Sequence, residues 1–353
     1  MKILLSGGGT IGSVSPLIAI YEEIKRQKPA AEFLWLATRR GLEHDLIKSY
    51  NIPVRSIFAG KFRRYFSWQN FFDPVLVLLG FFQSLKVIFQ FKPDLILSAG
   101  SFVSVPTVWA GRLLGAPALI HQQDVLPGLA NKLMAKSAKI ITATFEKSKS
   151  DFPEKKTIIT GNPVRSEIFE AKKEEAYAFF KLEPAIPTIL VMGGGTGATA
   201  INNLVLASLD QLVQFCQVIH LTGGRIDQLA EHPRYRSYDF LTSQIKYAYA
   251  AADLAVSRAG MSALSELAAT QKPTIVIPIP NSHQLYNAIE FAKNNAAIMV
   301  EEKNLTPASF TAGVKELLAD PARLLHLGHN IGQLIPAEAT QKIVRIIFKF
   351  CGE

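Results

Sequence analysis

Short apolar runs alternate along the chain with longer segments of helical hydrophobic period. In the first half these runs lie at 3–5, 33–36, 95–97, 118–120 and 140–142. Each run is too short for an amphipathic helix, so the runs predict strands and the segments between them predict helices. Strands that alternate with helices indicate a parallel sheet in an α/β fold.

The alternation begins again in the second half, where the apolar runs lie at 188–192, 218–221, 254–256 and 274–277. Helix-like segments such as 262–270 and 284–294 lie between these runs. With 353 residues and 48% hydrophobic content, the chain can bury two cores. The sequence therefore predicts two Rossmann-like α/β domains with parallel sheets facing a cleft.

A Gly-Asn-Pro-Val-Arg segment at 161–165 predicts a hinge, because proline fixes φ and disfavours helix at the preceding residue. We predict an N-terminal domain over 1–162 and a C-terminal domain over 163–337. Residues 338–353 include a segment of helical spacing and predict a terminal helix. This helix can pack on either domain and is assigned here to the N-terminal one.

Two glycine-rich turns follow strand-like runs, one at 7–12 and the other at 193–198. Glycine permits positive φ and close approach of the backbone, and free amides at a helix start attract phosphate. Two such turns about half a chain apart favour two nucleotide-binding-type domains. The alternative for the first turn is that it only packs a helix closely on its strand.

The stretch from 61 to 92 concentrates large apolar side chains beside a basic segment at 61–64. Pro74 and Gly80 are expected to interrupt it, and the uncharged run between 73 and 86 is too short for a spanning helix. One interpretation is an aromatic and basic patch that enters an anionic membrane surface, and the other is a buried helix and loop. The aromatic residues expected in the membrane patch are Phe71, Phe72, Phe81 and Phe82.

The net charge of +9 and the isoelectric point near 9.4 favour anionic partners, either lipid headgroups or nucleic acid. No nucleic-acid-binding motif is evident, so we favour the lipid surface. Cys216 and Cys351 are too few for a disulfide framework, which indicates a reducing compartment. The chain enters its first glycine turn without room for a leader, so we expect a cytosolic protein. We also expect no tightly bound metal or cofactor, because no acidic cluster has metal-ligand spacing.

A third motif at 257–266 directly follows the apolar run at 254–256. Gly260 permits a tight turn, Ser262 is predicted as a helix N-cap, and Glu266 is expected in the first turn of that helix. Two roles are open for Glu266. Its carboxylate can complement the helix dipole, or it can accept hydrogen bonds from the two hydroxyls of a ribose.

A polar segment at 278–288 contains a loop and the start of the predicted helix at 284–294. It carries His283 and Gln284, whose imidazole and amide groups suit a neutral sugar. The alternative is ordinary loop and N-cap chemistry.

Six motifs follow one another along nearly the whole chain, at 8–16, 121–124, 161–165, 193–198, 257–266 and 284–287. In this order they resemble the motifs of the peptidoglycan N-acetylglucosaminyltransferase family, MurG. No single motif is specific, but the ordered set is. The resemblance implies a two-domain GT-B fold. It also implies an inverting transfer of N-acetylglucosamine from its UDP-activated form to the muramyl sugar of undecaprenyl-linked lipid I, which gives lipid II.

The resemblance also assigns site residues. The implied donor-binding residues are Arg165, Gly194, Gly195, Thr196, Arg258, Gly260, Met261, Glu266, His283 and Gln284. Within this set, Thr196 and Arg165 are implied to bind the diphosphate, Glu266 the ribose and Gln284 the sugar. The implied acceptor-binding residues are Thr10, Gly12, Ser13 and Asp124. The resemblance further implies a peripheral location on the cytoplasmic face of the cell membrane, and partners among the cell-wall synthesis proteins.

The chain departs from the family pattern on the acceptor side. The family's first motif usually ends in histidine where this chain has Ser13, and Ile11 replaces a glycine. The family's HEQN motif reads His-Gln-Gln-Asp at 121–124, so the acid has moved from the second position to the fourth. Serine is a poor base near neutral pH without a partner. We therefore predict Asp124 as the general base, with His121 as an alternative base or an orienting partner, and we keep Ser13 as the third candidate catalytic residue.

These departures leave three interpretations of the function. The first is a divergent MurG enzyme with a rearranged acceptor site. The second is a related GT-B enzyme that glycosylates another membrane lipid, such as a diacylglycerol. The third is a catalytically silent UDP-sugar-binding protein of the cell-wall machinery.

Overall fold

The computed structural model describes residues 1–39, 41, 43–60, 69–194, 198–224 and 231–352, without the side chains of 69–72. The chain forms two compact units. Unit 1 comprises Met1–Arg165 together with Glu338–Glu353, and unit 2 comprises Ser166–Ala337. The division falls after Arg165, whereas the sequence places the boundary after residue 162.

Unit 1 contains a seven-stranded parallel sheet in the order β3-β2-β1-β4-β5-β6-β7. Its strands are β1 Lys2–Ser6, β2 Glu32–Ala37, β3 Val54–Ser56, β4 Leu95–Ser98, β5 Ala118–Gln122, β6 Ile140–Ala143 and β7 Thr157–Ile159. The order changes direction between β1 and β4, which lie side by side. In open parallel sheets, ligands bind beyond the carboxyl ends of the strands at such a switch point.

Helices cover both faces of this sheet, and their buried side chains form two separate clusters with the strands. The helices of the first part of the chain are α1 Ser15–Gln27, α2 Glu43–Ser49, α3 Gln69–Phe91, α4 Ser104–Leu113 and α5 Leu129–Ala135. Leu5 and Ile3 of β1 pack in one cluster, while Leu4 packs in the other. This alternation is expected for a strand that is buried on both faces.

Unit 2 repeats the architecture with six parallel strands in the order β10-β9-β8-β11-β12-β13. Its strands are β8 Thr188–Met192, β9 Gln217–Leu221, β10 Tyr235–Tyr238, β11 Leu254–Ser257, β12 Thr274–Val276 and β13 Ile298–Met299. Its helices are α6 Lys173–Phe180, α7 Thr199–Leu212, α8 Ile245–Ala251, α9 Met261–Ala269, α10 Gln284–Lys293, α11 Pro307–Leu318 and α12 Pro321–Leu334. The prediction of two Rossmann-like units with parallel sheets is confirmed.

The terminal helix, α13 Ala339–Cys351, belongs to unit 1. Ile343, Val344 and Ile347 lie in the same buried cluster as Leu17 and Ile24 of α1. Thr340 fixes the start of the helix, because its hydroxyl donates to the carbonyl of Val164 at 3.0 Å and accepts from the Val164 amide at 3.1 Å. The end of the chain thus returns to the segment that leaves unit 1.

Four strands were not predicted: β3, β7, β10 and β13. Each lies at an edge of its sheet. An edge strand has one neighbour and less apolar cover, so its sequence need not be a continuous hydrophobic run. Val54–Ser56 is an example, because two of its three residues are exposed.

The interruption expected at Pro74 and Gly80 is wrong, because both residues lie inside the continuous helix α3. Asp73–Phe91, with a mean hydropathy of 1.7, is long and apolar enough to cross a membrane by length and composition. Gly80 is required by packing, since a Cβ there would meet the main-chain carbonyl of Phe58. The Gly80 side of α3 packs against the rest of unit 1. The hydroxyl of Ser84 on α3 lies 3.3 Å from the hydroxyl of Thr107 on α4.

Candidate active site

In unit 1, the loops that follow β1, β4 and β5 are tied together by the Gln123 amide. Its Nε2 donates to the carbonyl of Gly12 at 3.0 Å and to that of Ala99 at 2.8 Å. Gln123 is buried, and these two bonds connect three carboxyl-terminal strand loops at the switch point. The structure therefore brings the segments around Gly12 and Asp124 together.

The first glycine turn directs several of its carbonyl groups towards the protein. The Gly7 carbonyl accepts from Trp35 Nε1 at 2.8 Å, and the Gly8 carbonyl accepts from the Ser101 hydroxyl at 2.7 Å. Gly9 has φ +80°, a conformation that glycine adopts readily. Carbonyl oxygens repel phosphate. Because these carbonyls accept hydrogen bonds inside the protein, the opposite side of the turn suits an anion. Thr10 is exposed at this turn.

Ser13 is buried and its hydroxyl faces the turn itself. Its Oγ lies 3.1 Å from the carbonyl of Thr10 and 3.3 Å from that of Gly8. A serine has one hydroxyl hydrogen, and both acceptors within reach are loop carbonyls. The prediction of Ser13 as a catalytic group is therefore corrected: its hydroxyl holds the turn closed.

His121 is almost fully buried at the end of β5, with 1% of its surface exposed. Its Nε2 donates to Asn162 Oδ1 at 2.8 Å, and its Nδ1 accepts from the Thr142 hydroxyl at 2.9 Å. Burial lowers the pKa of the imidazole to about 4. The alternative of His121 as the base is therefore wrong, because both ring nitrogens are occupied inside the protein. The ring orients Asn162, in the 161–165 segment.

Asp124 lies in the turn after β5 and is partly exposed. Its main-chain carbonyl accepts from Gln122 Nε2 at 2.7 Å and from the Ser148 hydroxyl at 3.3 Å. The turn is thus held by its backbone. Of the three residues predicted for catalysis, Asp124 alone combines an acidic side chain with partial exposure.

In unit 2, the second glycine turn follows β8 and precedes α7. Gly194 is exposed with φ +84°, and among the described residues no heavy atom lies within 4 Å of a Cβ added there. Gly195 and Thr196 lie outside the described residues. The turn occupies the position at which a parallel sheet places a phosphate, between the end of a central strand and the start of its helix.

The start of α7 is anchored by a buried histidine. His220 Nε2 donates to Asn202 Oδ1 at 3.0 Å, and the Tyr235 hydroxyl donates to His220 Nδ1 at 2.9 Å. Asn202 Nδ2 in turn donates to the carbonyl of Thr222 at 2.9 Å. These bonds fix the first turns of α7 against the carboxyl end of β9, beside the second glycine turn.

Arg258 is one of the implied donor-binding residues, and its side chain is buried and bound to other loops. Its Nη1 donates to the carbonyls of Ile277 at 3.2 Å and Pro278 at 3.3 Å. Its Nη2 lies 2.6 Å from a carboxylate oxygen of Glu302. The Arg258 guanidinium thus holds the loop after β12 in place.

Gly260 and Gln284 lie together as the donor assignment requires. A Cβ added to Gly260 would lie 3.7 Å from Gln284 Nε2, and Gln284 Oε1 accepts from the Ile279 amide at 3.3 Å. Asn287 joins the same two segments, because its Nδ2 donates to the carbonyl of Ala259 at 3.0 Å. His283 is exposed beside Gln284.

The helix α9 begins at Met261, two residues before the start that an N-cap at Ser262 implies. Gly260 is its N-cap and Met261, which is buried, is its first residue, so the prediction of Ser262 as the N-cap is wrong. Glu266 consequently lies in the second turn, where a helix dipole has less effect. Its Oε2 accepts from the Tyr249 hydroxyl at 2.7 Å, and the residue is 6% exposed. A carboxylate fixed in this way is oriented before a ligand binds.

Sequence reasoning missed the polar groups that hold these loops. Gln123, Asn202 and Asn131 were not predicted as site residues, although each binds a main-chain carbonyl at the carboxyl end of a strand.

Arg165 is the last residue of the first segment of unit 1 and is partly exposed. Among the residues that the structure describes, no group of three or more histidine, cysteine, aspartate or glutamate residues could hold a metal ion. The expectation that the protein has no tightly bound metal or cofactor stays a prediction.

The two buried histidines predict a loss of stability in acid. The folded-state pKa of both His121 and His220 is lowered by burial from 6.5 to about 4. The unfolded chain therefore binds more protons, so stability is present above pH 6.5 and is lost as the pH falls towards 4. Each group contributes about 3 kcal/mol at most. We expect the midpoint of urea unfolding to fall over this range.

The matched control replaces each histidine with glutamine, which can still donate and accept but does not titrate. The urea unfolding transitions of the wild-type protein and of the double variant His121→Gln, His220→Gln are compared at each pH. The contribution of the carboxylates to the pH dependence then cancels. An equal pH dependence in the two proteins would contradict the prediction.

Family models and solved structures show which proteins this chain is similar to. A model described as the glycosyltransferase family 28 N-terminal domain matches residues 3–143, and the glycosyltransferase family 28 C-terminal domain matches residues 188–342. The crystal structure of MurG from Acinetobacter baumannii is similar with a TM-score of 0.73 and 26% identity, over 99% of each chain. A UDP-N-acetylglucosamine 2-epimerase from Neisseria meningitidis is 15% identical with a TM-score of 0.73, which shows the fold alone.

Two curated relatives carry the name UDP-N-acetylglucosamine--N-acetylmuramyl-(pentapeptide) pyrophosphoryl-undecaprenol N-acetylglucosamine transferase. The protein from Christiangramia forsetii is 37% identical over 360 residues, which cover 98% of this chain and 96% of that protein. The protein from Lachnoclostridium phytofermentans is 34% identical over 352 residues, which cover 98% of each. With both family models matched and relatives of this identity aligned from end to end, the chain belongs to glycosyltransferase family 28 and, within it, to the MurG N-acetylglucosaminyltransferases.

Proposed function

We propose that the protein transfers N-acetylglucosamine from UDP-N-acetylglucosamine to the muramyl sugar of undecaprenyl-linked lipid I, with inversion at the anomeric carbon. The observation that carries the proposal is the donor half-site of unit 2. There the carboxylate of Glu266 is oriented by Tyr249, and the amide of Gln284 lies beside Gly260. These are the groups that a ribose and a neutral sugar require.

Each half of the reaction has matching groups. Departure of UDP needs positive or dipolar groups near the diphosphate, and we assign that role in unit 2 to the backbone around Gly194. Attack by the acceptor hydroxyl needs a base within reach of its proton. We assign this role to Asp124, which is partly exposed in the turn after β5. Gly12 and Thr10 would bind the acceptor diphosphate through the first glycine turn.

The experiment incubates the protein with radiolabelled UDP-N-acetylglucosamine and either lipid I or diacylglycerol in detergent micelles. Label that passes only to lipid I supports the proposal. Transfer of label to diacylglycerol would show that the enzyme acts on another acceptor. Binding of UDP-N-acetylglucosamine without transfer to either lipid would indicate a silent UDP-sugar-binding protein.

We further propose that the protein is peripheral at the cytoplasmic face of the cell membrane and lies on anionic lipid through α3. The exposed apolar residues of this helix are Val75, Leu78, Leu79, Phe82 and Phe89. Their spacing of three, four and seven residues defines one helix face, and Lys86 is exposed on the same side. An apolar helix face with a cation suits the headgroup boundary of an anionic membrane.

The membrane prediction must be changed at one of its four phenylalanines, Phe81. Phe82 is 59% exposed, whereas Phe81 is only partly exposed and packs against a buried cluster of unit 1. The side chains of Phe71 and Phe72 lie outside the described residues. Replacement of Phe81 would therefore test folding as well as membrane binding, so the exposed face is the better target.

We expect the triple variant Leu78→Ser, Leu79→Ser, Phe82→Ser to lower binding to anionic vesicles by at least about 10-fold, since each exposed apolar side chain contributes about 1 kcal/mol or more on insertion. Binding of UDP should be unchanged. Vesicle flotation measures the first and calorimetric titration the second. The matched control is Leu325→Ser, which removes a leucine that is 77% exposed on α12 of unit 2. Equal flotation of the two variants would remove α3 from the membrane contact.

A further inference from the structure

A buried glutamine at the end of β5 controls the turn that carries Asp124. Gln122 is 1% exposed, and its Nε2 donates to the main-chain carbonyls of Asp124 at 2.7 Å and Leu126 at 3.3 Å. The turn is also bound from its other side by Ser148, whose hydroxyl donates to the carbonyl of Val125 at 3.0 Å. The carbonyls of Asp124, Val125 and Leu126 are thus held by two buried side chains, Gln122 and Ser148.

The other end of the Gln122 amide is fixed by Asn131 of α5. Asn131 Nδ2 donates to Gln122 Oε1 at 2.7 Å and to the main-chain carbonyl of His121 at 3.1 Å. Asn131 is 4% exposed and packs on Gly100, where a Cβ would lie 3.1 Å from Nδ2. A chain of amides therefore leads from the loop after β4, through α5, to the backbone of Asp124.

This arrangement requires an amide, and a carboxylate does not fit it. The group at position 122 must accept one hydrogen bond from Asn131 and donate to two carbonyl oxygens. An ionised glutamate would place an oxygen against the carbonyls of Asp124 and Leu126, and buried groups that repel one another are costly. The family's motif usually has glutamate at this position and asparagine at the fourth. In this chain the amide and the acid have changed places.

We propose that Gln122 is a positioning residue for the general base: its amide, set by Asn131, fixes the turn so that Asp124 points at the acceptor hydroxyl. The proposal rests on the proposed function, in which Asp124 is the base.

The test is a double-mutant cycle of Gln122→Glu and Asp124→Asn, measured by transfer from radiolabelled UDP-N-acetylglucosamine to lipid I. We expect Gln122→Glu to lower kcat by about 10-fold or more with little change in the KM for the donor, because one to two hydrogen bonds to the turn are lost. In the Asp124→Asn background the same change should have little further effect. The control Gln214→Glu makes the same charge change at an exposed position in unit 2 and should leave kcat unchanged.

The pH profile separates positioning from general damage. A protonated glutamic acid can donate to the Asp124 carbonyl, so the ratio of Gln122→Glu kcat to wild-type kcat should rise as the pH falls. Gln122→Met has a similar size but no hydrogen bonds, so its ratio should stay constant. If Gln122→Glu does not fold, Asn131→Ala replaces it in the cycle, because it removes the partner of Gln122 without adding a charge.

Additive losses in the cycle, with a flat ratio against pH, would overturn the positioning role and leave Asp124 as the base. Full turnover in Asp124→Asn alone would instead overturn the assignment of the base, and the role of Gln122 with it. Non-additive losses with a ratio that recovers in acid support the proposal.

Discussion

We expect Glu266→Ala to weaken the binding of UDP by about 10-fold to 150-fold for each ribose hydrogen bond that it removes, since hydrogen bonds to charged groups contribute about 1.5–3 kcal/mol. The carboxylate is 6% exposed and is oriented by the Tyr249 hydroxyl at 2.7 Å, so little of its interaction with a ligand is lost to solvent screening. Calorimetric titration with UDP measures the affinity.

Two variants control for the loss of packing. Tyr249→Phe keeps the carboxylate but removes the hydroxyl that orients it, so its effect on UDP affinity should be smaller than that of Glu266→Ala. Glu266→Gln keeps the shape of the side chain and loses its charge, and it should fall between the two. An unchanged affinity in folded Glu266→Ala would remove this residue from the donor site.

The second large effect is expected in turnover. Asp124→Asn preserves shape and most hydrogen bonding but removes the basic oxygen, so we expect kcat to fall by about 10²-fold or more. Because Asp124 lies in unit 1 and the donor half-site in unit 2, UDP affinity should change little. Transfer to lipid I under saturating donor measures kcat, and calorimetry measures the affinity.

His121→Ala is a poor counterpart to this variant. It would leave Asn162 and Thr142 without a buried partner, and loss of turnover would then report damage to the fold. His121→Gln is the better comparison, since it can keep both bonds. Activity in His121→Gln together with its loss in Asp124→Asn is the expected result, and the reverse pattern would contradict our assignment of the base.

Most of the architecture was predictable from the sequence. The central strands β1, β4 and β5 and their counterparts β8 and β11 are buried on both faces, so each appears as a short apolar run. The two glycine turns follow such runs directly, which also made their positions predictable. The edge strands β3 and β10 were missed, because a strand with one neighbour need not be apolar throughout.

The identity of the site motifs was also within reach of the sequence, whereas the direction of their side chains was not. Ser13, His121 and Arg258 stand in the expected motifs, yet the structure uses all three to hold loops. The partner of His121 is Asn162, which is 41 residues away in the chain. A pattern of neighbouring residues carries no information about such a partner.

What the sequence determined by itself, then, was the set of elements that bury their own apolar face and the order of the motifs between them. The tertiary structure decided which polar groups are paired inside the protein and which stay accessible for chemistry. Asp124 and His121 are three residues apart, but one is partly exposed in a turn and the other is enclosed between strands. The physical reason is that burial and hydrogen bonding depend on the elements packed around a residue, and distant parts of the chain supply those elements.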